Sequence, residues 1–199
     1  MKSYPKAITD IITRLSILPG VGYRTGERYA YFLLRQDQQA VQELATAIAK
    51  LQQSVKFCQR CYSYTETSPC SLCSDRKRLE GLLCVVADPQ DIPPLEQTKA
   101  YEGKYFVLGG TLNPLEGVHP DNLRIKELLK RIREGMITEV ILALDPDSNG
   151  EATSFYLARI LKQEKIKVTK LAKGLPLGSA IEYADEITLE NALSNRKEI

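Results

Sequence analysis

Apolar residues recur at helical spacing through the first quarter of the chain. Ile8, Ile11, Ile12, Leu15 and Leu18 share one face of a segment spanning 6–18, the three- and four-residue rhythm of an amphipathic helix. "LPGVG" then interrupts it. A second helical stretch covers 25–35, and a third carries Val41, Leu44, Ala45 and Ile48 on one face and ends near Val55. Three short helices bury little apolar surface alone, so they are expected to pack on a neighbour.

The rhythm changes from Leu82 onward. "LLCVVA", "KYFVLGG" and "EVILALD" are short apolar runs that predict buried strands, and "IKVTKLA" predicts a fourth with some polar alternation. Helical patterns over 92–99, 121–134 and 151–163 separate them. Strand alternating with helix predicts a parallel sheet with helices on its faces. Between the two regions, residues 57–79 hold four cysteines and few apolar side chains. Only a cross-link or a metal could hold such a stretch together. The fold class is therefore α/β: an N-terminal helical domain (1–56), a small four-cysteine finger (57–79), a parallel sheet flanked by helices (80–175) and a short C-terminal segment (176–199) whose short elements cap that sheet.

Charge adds a location. The net charge of +2 says nothing by itself, but residues 1–56 carry 8 Lys and Arg against 4 Asp and Glu. A basic excess there predicts an anionic partner for the N-terminal domain. No apolar run approaches the roughly 18 residues of a membrane span. No apolar stretch follows Lys2, so no signal peptide is expected and the protein is read as cytoplasmic.

The interruption between the first two helices carries candidate chemistry. Pro19-Gly20-Val21-Gly22 places two glycines one residue apart, which lets the backbone turn tightly and presents N–H groups beside the start of the next helix. Val21 can plug back into the helix pair. Arg24 and Arg28 follow, four residues apart and on one helix face, placed to neutralise two phosphates without reading sequence. A plain linker that needs glycines would explain Gly-x-Gly alone. Hydrophobic-Pro-Gly-hydrophobic-Gly followed by arginines resembles the helix-hairpin-helix binders of the DNA backbone. Tyr29, Tyr31 and Phe32 are read as core residues rather than base-stacking platforms.

"CQRCYSYTETSPCSLC" is Cys58-x2-Cys61-x8-Cys70-x2-Cys73. Each Cys-x-x-Cys turn can aim two thiolates at one point, and two turns close a tetrahedral Zn²⁺ site. Four sulfur ligands leave no open position, so one structural zinc per chain is expected. Two local disulfides, or a redox pair, explain four cysteines less well in a reducing compartment. Cys84 lies inside an apolar run and is read as core. His119, the only histidine, has no second His or Cys nearby and is read as a surface residue.

"LALDPDSNGEA" brings Asp145 and Asp147 to the end of a strand. The stretch matches the first half of a calcium loop but has Tyr156 at the twelfth position, where a bidentate Glu is required, so an EF-hand is rejected. A strand ending in Asp-x-Asp, about 60 residues after another strand end, resembles the Toprim arrangement of topoisomerases and primases, in which a Glu and two aspartates hold Mg²⁺ for phosphoryl transfer. Here Ala87 stands where the Glu belongs, and Asp88 is one residue out of step, facing the other way. Two readings stay open for Asp145 and Asp147: a weak Mg²⁺ or partner site, and a strand-end turn that Asp and Asn-Gly simply suit. A Mg²⁺-dependent Toprim nuclease or topoisomerase-like enzyme is the alternative that the first would allow.

Taken with "CVVADPQDIPPLEQT", "YFVLGGTLNPLEG" and "KVTKLAKGLPLGSAIEYADEITLENAL", these motifs make nearly the whole chain resemble the RecR family of bacterial recombination mediators. The resemblance implies a non-enzymatic protein of recombinational DNA repair that binds double- and single-stranded DNA without sequence preference. It implies action with RecO and RecF to load RecA onto single strands, in a nucleoid-associated, ring-shaped homotetramer. It places DNA contacts at Arg24 and Arg28, beside the Gly20 and Gly22 turn whose N–H groups can meet a phosphate, and zinc ligands at Cys58, Cys61, Cys70 and Cys73. Ala87, where many relatives have Glu, and the intact Asp-x-Asp are departures from the family pattern. Together they leave the acidic site incomplete and favour a scaffold over a catalyst.

Overall fold

The computed structural model describes residues 4–196. The chain divides into two compact units, Met1–Val55 and Lys56–Ile199. The first is helical: α1 (Lys6–Leu15), α2 (Tyr23–Leu34) and α3 (Gln38–Ser54). α1 and α2 meet through Ile12 and through Gly26 and Ala30, all buried. A Cβ on Gly26 would lie 3.1 Å from the Ile12 carbonyl oxygen, so the glycine is what lets the helices approach. α1 stops at Leu15, three residues short of the expected end, and Leu18 is exposed in the turn. Asp37 caps α3, its carboxylate accepting from Ala40 N at 2.9 Å, and α3 fully buries none of its residues. Tyr29, Tyr31 and Phe32 are exposed rather than core. The small residues Gly26 and Ala30 take the inner face of α2, so the aromatics are turned outward.

The second unit opens with a two-stranded antiparallel hairpin, β1 (Lys56–Phe57) and β2 (Tyr64–Thr65), followed by the single-turn helix α4 (Ser71–Ser74). Next come β3 (Leu79–Val86), α5 (Ile92–Gln97), β4 (Gly103–Val107), α6 (Ile125–Glu134), β5 (Glu139–Ala143), α7 (Ser148–Leu161), β6 (Lys167–Lys170) and α8 (Glu186–Ser194). The last four strands form one parallel sheet in the order β4-β3-β5-β6. Period-two alternation splits their side chains between two cores. Leu83, Val85, Phe106, Val140 and Leu142 pack under α6 and α7, against Leu128, Ile132, Leu157 and Leu161. Cys84, Val86, Tyr105 and Val107 face the other way, under Ile92 of α5 and Leu72 of α4. Both faces are covered, which is why the strands read as continuous apolar runs. Cys84 is a core residue, its thiol pushed up to about 12 by burial.

α6 begins at Ile125 rather than near 121. Pro120–Asn122 forms a separate 3₁₀ turn and Leu123 is extended, so the helical pattern starts late. His119 is exposed at the edge of that turn. The joint between β5 and α7 is tighter than its sequence suggests. Gly150 sits in the first turn of α7, and a Cβ there would lie 2.0 Å from the Asp145 carbonyl oxygen. No side chain fits without pulling the loop off the helix. Gly150→Ala should therefore cost about 3 kcal/mol, the upper end of overpacking penalties, measured by chemical denaturation of the zinc-loaded protein.

Candidate metal centre and nucleic-acid interface

The hairpin between α1 and α2 closes through Val21 N donating to Leu18 O at 3.0 Å. Gly20 has φ +76°, a left-handed conformation that side chains disfavour. Val21 is half-buried, and Gly22 is the N-cap of α2 with no side chain capping the helix. The first N–H groups of α2 thus have no side-chain acceptor at the cap. Nothing lies within 4 Å of where a Cβ would stand on Gly20 or Gly22. The turn is open for another backbone to approach. Arg24 and Arg28 are both exposed on α2, and Arg28 lies over the Tyr29 ring at 5.6 Å.

In the second unit the four cysteines are buried, and their Sγ atoms all lie within 4.8 Å of one another. Cys61 Sγ and Cys70 Sγ are 3.5 Å apart, far beyond the roughly 2.05 Å of a disulfide. A tetrahedral zinc with bonds of about 2.3 Å needs sulfurs roughly 3.8 Å apart, so the cluster fits the ion. Each pair sits on a tight turn. Tyr62, at φ +62°, folds the first back so that its N–H reaches Cys58 O at 2.9 Å. In the second, Cys70 is the N-cap of α4, and its own N–H donates to Cys58 Sγ at 3.3 Å. Zinc here would be held by four thiolates with no position for water, which gives it a structural role and no Lewis-acid chemistry.

The finger is fastened to the sheet edge. Val107 N donates to Cys61 O at 2.8 Å. The Arg131 guanidinium, from α6, spans Arg60 O at 2.7 Å and Tyr105 O at 2.9 Å. The Lys104 ammonium, from β4, reaches the carbonyls of Leu72, Cys73 and Asp75. Neither Lys104 nor Arg131 stands out in the sequence, because both act on finger residues 29 or more positions away in the chain.

Asp145 and Asp147 lie exposed after β5. Asp147 is the N-cap of α7, its carboxylate accepting from Gly150 N at 2.7 Å. Ala87 is buried after β3, whereas Asp88 is exposed and its N–H donates to the Asp91 carboxylate at 2.8 Å. Asp91 is the acid that sequence reasoning misses. Burial pushes its pKa up, with the carboxylates of Asp88 and Asp145 adding to the shift. Among the described residues, the four cysteines are the one group of three or more His, Cys, Asp or Glu whose ligand atoms gather closely enough for a metal.

Comparison with known proteins matches four family models along the chain: the RecR helix-hairpin-helix at residues 8–51, the RecR four-cysteine zinc finger domain at 55–75, a Toprim domain at 81–172 and the RecR C-terminal segment at 174–197. Recombination protein RecR of Tropheryma whipplei (strain TW08/27) is 43% identical over 196 residues, covering 98% of this chain and 99% of that protein. The chain belongs to the RecR family. Recombination protein RecR of Thermobifida fusca is 45% identical over 194 residues, covering 98% of both chains. The RecR zinc finger coincides with the four gathered thiols, and the metal is a structural zinc. Cys58→Ser should therefore abolish the one-to-one zinc content by elemental analysis. It should also lower the melting temperature by roughly 10 °C, the shift expected for about 3 kcal/mol in a chain this long.

Proposed function

We propose that this protein is a non-catalytic DNA-binding mediator of recombinational repair. It works in the cytoplasm, at the nucleoid, with RecO and RecF to help load RecA onto single-stranded DNA. The observation that carries the reading is the open glycine turn ahead of two arginines on α2. Gly20 and Gly22 leave room for a phosphate backbone to meet the N–H groups at the start of α2, where the helix dipole favours negative charge. Arg24 and Arg28 then supply counter-charge without base contacts. Residues 1–56 are the DNA-binding part, 57–79 the zinc-stapled connector, 80–175 the Toprim scaffold and 176–199 the oligomerisation segment. Asp147 is occupied as a helix cap and Ala87 contributes no carboxylate, which supports a scaffold role for the acidic loop. The chain has no helix long and apolar enough to cross a membrane among its described residues.

Exposed apolar surface supports assembly into a homotetrameric ring. Leu44, Ile48 and Leu51 of α3 are about half or more exposed, as are Ile187 and Leu193 of α8. Amphipathic helices with unburied apolar faces are ordinarily covered by a partner. Sedimentation at micromolar concentration should give a species about four times the 22.3 kDa chain; a monomer throughout would remove the ring. The DNA contact is tested by Arg24→Ala with Arg28→Ala. The double variant should bind DNA more weakly, with the log–log salt dependence shallower by roughly 1.8, about two phosphate contacts. Unchanged affinity and slope would discard the hairpin as the DNA site.

A further inference from the structure

Lys104 is a charged side chain buried in the sheet. It lies on β4 between two core strand positions, 2% exposed. Its ammonium has three N–H donors, and three carbonyls receive them: Leu72 at 3.3 Å, Cys73 at 3.0 Å and Asp75 at 2.7 Å. These carbonyls close the second cysteine turn, at the C-terminal end of α4, where a cation completes the helix end. Glu80 of β3 stands 3.3 Å from the same ammonium, with its own side chain largely exposed. On the first cysteine turn Arg131 does the corresponding work, donating to Arg60 O. Each Cys-x-x-Cys turn is therefore gripped by one cation bound to its backbone, the first by Arg131 of α6 and the second by Lys104 of β4. A zinc held by four thiolates carries a net charge of about −2. Burying that charge is costly unless cations or hydrogen bonds accompany it.

We infer that Lys104 and Arg131 are positioning residues of the zinc site: bound to the backbone of the two cysteine turns, they hold the four thiolates in ligand geometry and offset the charge of the metal–thiolate group. Zinc occupancy is thereby tied to β4, and through β4 to the Toprim sheet. The inference rests on the four-cysteine site being the zinc site and is independent of DNA binding. A group that orients ligands in this way typically changes metal affinity 10- to 100-fold when removed.

The test is zinc release from the full-length protein to a chromophoric chelator, together with the thiolate-to-metal charge-transfer spectrum of the cobalt-substituted protein. Lys104→Met keeps the apolar stem and removes the charge. It should release zinc about 10-fold faster or more and alter the cobalt spectrum, while Lys104→Arg, which keeps a cation, should restore most of the wild-type rate. Arg131→Gln should accelerate release as well. Release at the wild-type rate with an unaltered cobalt spectrum in Lys104→Met, whatever its melting temperature, would show that the lysine merely props the core and would overturn the inference. Should Lys104→Met not accumulate folded, Lys104→Gln, which retains donors but no charge, isolates the electrostatic part: faster release supports the charge offset, and release at the wild-type rate would overturn it. A wild-type zinc content that is zero would instead strike the metal assignment itself.

Discussion

Four cysteine sulfurs within 4.8 Å of one another impose the constraint on which the second unit is built. As thiolates they repel, and as thiols they offer little packing. A divalent cation turns the crowding into a bond network worth folding for. The finger has almost no apolar core of its own. Its buried cluster is the four cysteines with Leu72 packed against them, so the metal does there what a hydrophobic core does elsewhere. What the metal fastens is then passed on. Cys61 O accepts from the edge strand β4, Arg131 grips the first turn and Lys104 the second. The exposed edge of a parallel sheet is a hazard that proteins commonly cover, and here the finger covers it.

The sheet in turn sets what its strand ends can do. β3 and β5 are neighbours, so the loops after Val86 and Ala143 emerge side by side. In an open parallel sheet that is where ligands ordinarily sit. This chain brings acids there, yet the loops are committed to structure: Asp147 caps α7, Asp91 binds the Asp88 backbone, and Gly150 lets the β5–α7 joint close on the Asp145 carbonyl. The proposed function, a Toprim fold used as a scaffold in an assembly of several chains with a helical hairpin as the DNA-binding part, would account for these commitments and for the unburied faces of α3 and α8.

Much of this is legible in the residues themselves, because the signals are local. Apolar periodicity marks α1 and α3, short apolar runs mark the four strands of the sheet, and two Cys-x-x-Cys turns mark the metal. Resemblance, rather than periodicity, orders these pieces into a family. Boundaries fail where a short polar motif competes with the periodic pattern. Pro120-Asp121-Asn122 makes its own turn and delays α6, while Gly22 starts α2 two residues early by serving as its cap. The aromatic residues of α2 mislead for a different reason. Periodicity shows which residues share a face, not whether anything covers it, and Gly26 and Ala30 win the inner face because only they allow close approach. Lys104, Arg131 and Asp91 are invisible in the sequence because their roles are set by partners that the fold brings to them. A buried lysine inside "GKYFVLGG" looks like an error in a strand until the cysteine turn arrives above it.

The most direct test of the central claim, binding without chemistry, is a single gel. A mixture of nicked and supercoiled plasmid is incubated with the protein and Mg²⁺, and matched lanes are run with and without protease. The account predicts retarded DNA that returns unchanged to its original positions once the protein is digested. New linear, nicked or relaxed species that disappear with Asp145→Ala would contradict it, and would make the acidic strand ends an active site despite Ala87.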